Sequence, residues 1–515
     1  MSRRTIGIAS LIYAASILLS RLIGLIRESV IGRTLGGGAE ADLYWSAFVL
    51  PDFLNYLLAG GVLSIVFIPI FSRYLAEDDE DGGWDAFSNI ANFLTVLLVL
   101  ATAAMWVLTP HITPHIQGGW SAEKLGALNE LIRIILPAQI FHLTGGLISA
   151  TLQARDKHTM PALAPVVYTT CIVLGGVLLG PTMGAKGFAW GVLAGSILGP
   201  FGMPLAGAIK HGLKWRLRFD FSHPDFRTYL LLSLPVMLGF SVIVLDDMFI
   251  KHFGSWLDEG VISRLQYAKT LMKVPMGVFG LAAGMATFPT LSRIFAEGDT
   301  DRATALLMDA VALLLVLALI AQAALYAAGP EMAEVIWGRS KFTLAELREI
   351  GLYTGVLGLG LWAWSAQMLI ARGFYAQGKT WIPTIVGSVI ALVAYPLYWV
   401  LSDRFGGLGL AMSSGIVVTV YIVSLFAVLS RSLNLGWDPA RRLLSVLVRM
   451  GLSALTGGAV AMWTALHLSD WSAFPRGLTA GLLAILVTVV VAALLQVSEI
   501  QALWQRLRKQ RTKSD

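Results

Sequence analysis

The residues able to do chemistry in this chain stand where hydrocarbon is otherwise expected. Arg21, Arg27 and Glu28 lie in the first long apolar run, and Asp42 and Asp52 in the second. Asp246, Asp247 and Lys251 lie in the seventh run, and Arg264, Lys269 and Lys273 in the eighth. A charged side chain at mid-bilayer costs about 2.5–3.5 kcal/mol on insertion scales, so each should face a protein interior or a watery cavity. An arginine fork and a lysine point charge both bind phosphate and carboxylate, so surplus cations in a cavity suit an anionic substrate. The paired acids offer two uses. Asp247 and Lys251 have the i,i+4 spacing of an intrahelical ion pair, while Asp246 and Asp247 together could hold a coupling ion. In a helix Arg21 and Glu28, seven residues apart, share a face; Arg27 sits about 120° away unless Gly24 kinks the backbone. Lys269 and Lys273 share a face.

No catalytic constellation accompanies these charges. The sequence lacks a P-loop, HExxH, GxSxG and any His/Cys cluster, so neither nucleotide-driven transport nor hydrolysis has a basis in it, and no cofactor or metal is expected. His111 and His115 are read as loop residues rather than ligands. Cys171, the single cysteine, excludes an internal disulfide and reads as a small core residue.

The elements that must position the charges are membrane helices. The 515 residues are 56% hydrophobic and 14% charged, too few charges for a soluble surface, and mean hydropathy is +0.71. Apolar runs long enough to cross a roughly 30 Å core recur throughout. We place 14 spans, near 5–34, 41–72, 86–110, 127–153, 160–180, 185–208, 228–253, 262–292, 303–328, 346–374, 381–402, 407–430, 443–467 and 475–499. The start shows no cleavable signal pattern. The basic segment 210–219, the Arg441–Arg442 loop and the basic tail 505–515 share one side, so the positive-inside rule puts both termini in the cytoplasm. The net charge of +6 thus reflects topology, not nucleic acid. The acidic stretch 76–83 is a solvated turn that counts little in that rule.

An internal repeat organises the spans. "PIFSRYLAEDD" from Pro69 and "PTLSRIFAEGD" from Pro289 share P-x-x-S-R-x-x-A-E-x-D at an offset of 220. Ala154, Lys157 and Pro161 match Ala376, Lys379 and Pro383, and Gly184, Gly187 and Ala189 match Gly406, Gly409 and Ala411, both at 222. Three ordered matches at nearly one offset indicate duplication. The fold expected is all-α: two homologous six-helix lobes, spans 1–6 and 7–12, in like orientation around a central cavity, plus two extra C-terminal helices. The corresponding divisions are 1–220, 221–435 and 436–515. Arg21, Arg27, Lys269 and Lys273 come from the first two spans of each lobe, where acids are too few to neutralise them all.

With these features the chain resembles the MurJ (MviN) family of lipid II flippases, in the multidrug/oligosaccharidyl-lipid/polysaccharide exporter superfamily. The carriers are "SRLIGLIRE" (20–28), "GGGAEADLYWSAFVLPDFL" (36–54), "FIPIFSRYLAE" (67–77), "QYAKTLMKVPMGVFGLAAG" (266–284) and "FPTLSRIFAEGD" (288–299). The resemblance implies transfer of an undecaprenyl-diphosphate-linked peptidoglycan precursor from the inner to the outer leaflet of the bacterial cytoplasmic membrane. It also implies membrane lipids, and cell-wall synthesis proteins, as partners. It places the family's span-one arginines on Arg21 and Arg27 and its span-two aspartate on Asp42, with Glu28 where Asp is usual. Several positions depart from the pattern. Asn55, Tyr56 and Gly60 replace an Arg-Arg pair and a following acid, and Ala268-Lys269-Thr270 replaces A-D-R, so Lys269 and Lys273 would restore the lost charge. Some relatives carry an acidic cation site on span seven, matching Asp246 or Asp247, but span eleven offers Tyr395 and Tyr398 rather than a carboxylate. Coupling to membrane potential or to a Na+/H+ gradient stays open.

Three other readings compete. A flippase for another polyprenyl-linked glycan would explain the departures at the cavity positions. A cation-coupled drug exporter should show an apolar, aromatic cavity, which Arg21 and Arg27 oppose. A non-transporting scaffold of a wall- or polysaccharide-assembly complex would tolerate the lost arginine pair.

Overall fold

The computed structural model describes residues 23–59, 66–237, 242–277, 279, 282–338, 341–379 and 381–501. Among these, the regular elements are helical. Two compact units emerge: Met1–Phe240 with Ser255–Ser263, and Ser241–Gly254 with Arg264–Asp515.

In the first unit the helices Glu80–Ile116, Ala122–Ile135, Ala138–Ala154, Thr159–Leu178 and Ala185–Ser196 follow shorter helices that carry the early charges. Its core is aromatic. Phe67, Phe71, Trp84 and Phe87 are buried together, with Phe71 and Trp84 ring centres 5.2 Å apart in the edge-to-face arrangement such rings favour. The second unit is built on the 38-residue helix Thr300–Trp337, against which Leu344–Gly358, Trp437–His467 and Ala473–Leu494 pack. Large apolar side chains such as Leu100, Val107, Leu392 and Val393 point outward. Water would penalise that exposure, and hydrocarbon does not.

Eight helices among the described residues are long and apolar enough to cross a membrane, or nine if Leu344–Gly358 and Leu361–Ala376, bent by 45°, form one span. Fourteen crossings were expected, and the described residues do not return that count, for two reasons. Trp381–Ser432 is one 52-residue element interrupted only at Gly406, so spans eleven and twelve merge. At 1.5 Å per residue an unbroken helix of that length would be about 78 Å long, far beyond a bilayer of about 40–45 Å, so the chain must turn at that glycine. Parts of spans one, two, seven and eight lie outside the described residues.

The duplication is legible in backbone detail. The acid closing the first repeated motif caps the next long helix in both copies: Asp79 accepts from Gly82 N at 2.9 Å and Asp299 from Arg302 N at 3.0 Å. The residue before each cap is left-handed, Asp78 at φ 54° and Gly298 at φ 80°. Helices end at Ala154 and Ala376, followed by Asp156 at φ 58° and Gly378 at φ 73°. Lys157 N then donates to Leu152 O, and Lys379 N to Phe374 O. Gly184 (φ 55°, ψ −130°) and Gly406 (φ 57°, ψ −135°) take the same conformation, one that L side chains rarely adopt.

The basic segment 210–219 is no free loop. It runs extended along helix Glu80–Ile116 and is held by side-chain amides. Asn92 Nδ2 donates to Arg216 O (2.8 Å) and Arg218 O (3.0 Å), and Asn89 Nδ2 to Asp220 O (2.6 Å). Trp215 Nε1 donates to Asn92 Oδ1, and Arg216 N to Ser88 Oγ. Asp81 and Asp85 pair with Lys214, Arg216 and Arg218, so part of the acidic stretch 76–83 is engaged.

Candidate functional site

The first unit contributes one pair of the expected site residues. Arg27 lies on a helix covering residues 23–35, and its Nε donates to Glu28 Oε1 at 3.1 Å, with a second guanidinium nitrogen on the same oxygen. Glu28 is buried, while 30% of the Arg27 side chain is exposed. Both bonds converge on one oxygen, so guanidinium N–H groups remain for another acceptor. Arg21, the other span-one arginine of the expected site, six residues earlier, lies outside the described residues.

Asp42 is placed differently from the expectation of a substrate ligand. It is buried on Ala39–Ser46, and its two oxygens accept Gly260 N at 2.6 Å and Ser263 N at 2.8 Å. These are N–H groups at the start of helix Val261–Met276, left without intrahelical partners, and a carboxylate is favoured there by hydrogen bonding and by the helix dipole. The side chain thus orders backbone. Asn55 is half-buried on Val49–Ala59, and Asp52 on the same helix is exposed.

In the second unit the structure gathers the remaining candidates. Lys269 Nζ lies 2.6 Å from Asp246 Oδ2 and 3.1 Å from Asp247 Oδ1. Lys251 Nζ meets Asp247 Oδ2 at 2.9 Å, the expected i,i+4 pair. Gln266 Nε2 donates to Asp247 Oδ1 at 2.8 Å, and Tyr398 donates its hydroxyl to Asp246 Oδ1. Asp246, Lys251 and Lys269 are all buried. Burying ions is tolerable only with such partners, because desolvation must be offset by close pairing. Lys269, expected as a surplus cation that restores the lost charge, is instead engaged by two carboxylates. Lys273, one turn further, is exposed. Thr270 returns its hydroxyl to Gln266 O at 3.0 Å, a local helical bond. Arg264 is buried against Glu349 (2.9 Å) and Glu346 (3.6 Å).

Sequence reasoning missed three participants. Gln266 carried no charge to draw attention, and Tyr398 lies 152 residues from Asp246, beyond any local pattern. Glu40 accepts from Ala185 N at 3.0 Å beside the left-handed Gly184. The only available signal was that Tyr398 stands on span eleven where a carboxylate was sought. Among the described residues no group of His, Cys, Asp and Glu could hold a metal ion.

The comparisons with known proteins agree with one another. The family model described as lipid II flippase MurJ matches residues 31–479. A probable lipid II flippase MurJ of Vibrio cholerae is 25% identical over 504 residues, covering 95% of each chain. The lipid II flippase MurJ of Burkholderia cenocepacia is 26% identical, covering 88% of this chain and 89% of its own length. Among solved structures, a lipid II flippase MurJ in an inward closed conformation superposes with a TM-score of 0.75 at 21% identity, covering 96% of this chain and 99% of that one. An inward-facing multidrug resistance MATE family transporter of the MOP superfamily follows at 0.63 and 16% identity, over 81% of this chain and 95% of its own. The fold is that of this superfamily, and the protein is a multi-pass membrane protein. With the family match running from the first charged helix to the last span, this chain belongs to the lipid II flippase MurJ family.

Proposed function

We propose that the chain flips lipid II, an undecaprenyl-diphosphate-linked peptidoglycan precursor, from the cytoplasmic to the periplasmic leaflet of the inner membrane by alternating access. In this reading both termini lie in the cytoplasm, which the basic segment 210–219 and the Arg441–Arg442 loop support. The observation that carries this reading is the family match over residues 31–479. The site supports it through Arg27, whose part-exposed guanidinium keeps donors beyond its bond to Glu28. A diphosphate offers such a fork the paired oxygens it can bind. In the first unit Arg21 adds positive charge and Asn55 an uncharged contact; in the second, taken by itself, the exposed ammonium of Lys273 and the hydroxyl of Thr270 are the corresponding groups. Cell-wall synthesis proteins are the partners this activity calls for, and membrane potential acting on the anionic headgroup is the drive in best accord with these residues.

The test is complementation. A bacterium depleted of its own lipid II flippase should survive on this chain, and Asn55→Arg should leave that rescue undiminished. Rescue failure by a protein that reaches the membrane in normal amount would refute lipid II as substrate. A second reading, a flippase for another polyprenyl-linked glycan, is favoured by Asn55, Tyr56 and Thr270; it predicts failed rescue together with retained translocation of a different diphosphate-linked lipid.

A further inference from the structure

Asp246 and Asp247 are the residues the sequence offers for ion coupling, and their surroundings leave a mobile cation no place. A hard cation is held by oxygen ligands. Of the four oxygens here, Asp246 Oδ1 accepts from Tyr398, and Asp246 Oδ2 from Lys269. Asp247 Oδ1 accepts from both Gln266 and Lys269, and Asp247 Oδ2 meets Lys251. Each oxygen is engaged. The Lys269 ammonium bridges the two carboxylates at 2.6 and 3.1 Å, the position a shared ion would take. Charge agrees with geometry, because two carboxylates, Asp246 buried and Asp247 partly exposed, face two buried ammonium groups. An added cation would leave uncompensated charge in an apolar interior.

We propose that Lys269 is a tethered counter-cation: its ammonium permanently fills the cation place between Asp246 and Asp247, so that this chain works without a sodium ion bound at that pair. The tether also ties helix Val261–Met276 to Val242–Gly254 and, through Tyr398, to Trp381–Ser432. The inference rests on the flippase reading only where it speaks of a transport cycle; the occupancy of the pair stands on geometry.

The experiment compares purified full-length protein in sodium chloride and in choline chloride at equal ionic strength. Melting temperature and retention of radioactive sodium are measured. Wild type should melt at the same temperature in both salts and retain no sodium above background. Lys269→Met vacates the bridge, so sodium should raise its melting temperature over choline and bind saturably. Adding Asp246→Asn to Lys269→Met should abolish both responses. Selective stabilisation of the wild type by sodium would overturn the proposal. So would a folded Lys269→Met protein indifferent to sodium. Should that variant not accumulate, the wild-type comparison decides alone. Neither measurement requires flipping, so failed complementation and a failed sodium test point to different errors.

Discussion

The two copies of the repeat keep the same joints and carry different charges. Gly184 and Gly406 share one unusual conformation, and Asp79 and Asp299 cap equivalent helices. Yet the first copy holds Arg27 part-exposed against its immediate neighbour, whereas the second buries Lys269 among residues from three helices. A joint is set by backbone geometry and tolerates few residue types, so duplication leaves it alone. A charge needs only partners, which can be recruited anew in each copy. One copy has kept a cation available, and the other has enclosed its own.

That contrast breaks first at activity. Arg27→Ala should reduce flipping by at least about tenfold with membrane abundance unchanged, because a charge-assisted contact to the diphosphate is worth upwards of about 1.4 kcal/mol. Arg27→Lys should recover part, since an ammonium keeps the charge and loses the fork. Equal losses of abundance and activity in a translocation assay would make Arg27 structural, like Lys269. Lys269→Met should show the opposite profile. Removing one partner of a buried pair costs about 3–5 kcal/mol, so thermal unfolding should fall steeply. Lys251→Met should cost less, because Asp247 keeps Gln266 and Lys269.

The joints should fail more mildly, and unequally. Gly184→Ala and Gly406→Ala both force an L residue into a strained conformation, a cost of about 1–3 kcal/mol each. A Cβ at Gly184 would also lie 1.7 Å from Glu40 Oε1, whereas one at Gly406 meets nothing within 4 Å. Gly184→Ala should therefore lower the melting temperature more, and Glu40→Ala should narrow the gap. The smallest effects belong to the caps. Asp79→Ala and Asp299→Ala should each cost about 1 kcal/mol, and nearly equally. A large difference between them would show that the copies have diverged at their joints as well.

How much of this the sequence showed follows the same division. The repeat was visible because joints constrain residue type: an acid that caps, a glycine that turns. The charged residues were visible because they are expensive in apolar runs. Their partners were not. Nothing near Asp42 announces that its carboxylate meets Gly260 and Ser263, and nothing near Asp246 announces Tyr398. Those bonds depend on tertiary proximity across more than 150 residues, so spacing rules for single helices cannot reach them. Counting Lys269 among the surplus cations missed its two carboxylate partners for a related reason: neither lies within its own helix.

The extended segment bound by Asn89 and Asn92 sets an order of assembly. Helix Glu80–Ile116 leaves the ribosome well before its partners Arg216, Arg218 and Asp220, which follow more than 120 residues later. Until then the two amides, both buried in the finished protein, have none of those partners. Uncompensated amides resist entering hydrocarbon. That end of the helix should therefore wait near the headgroups during insertion, and settle only when residue 220 emerges to meet it.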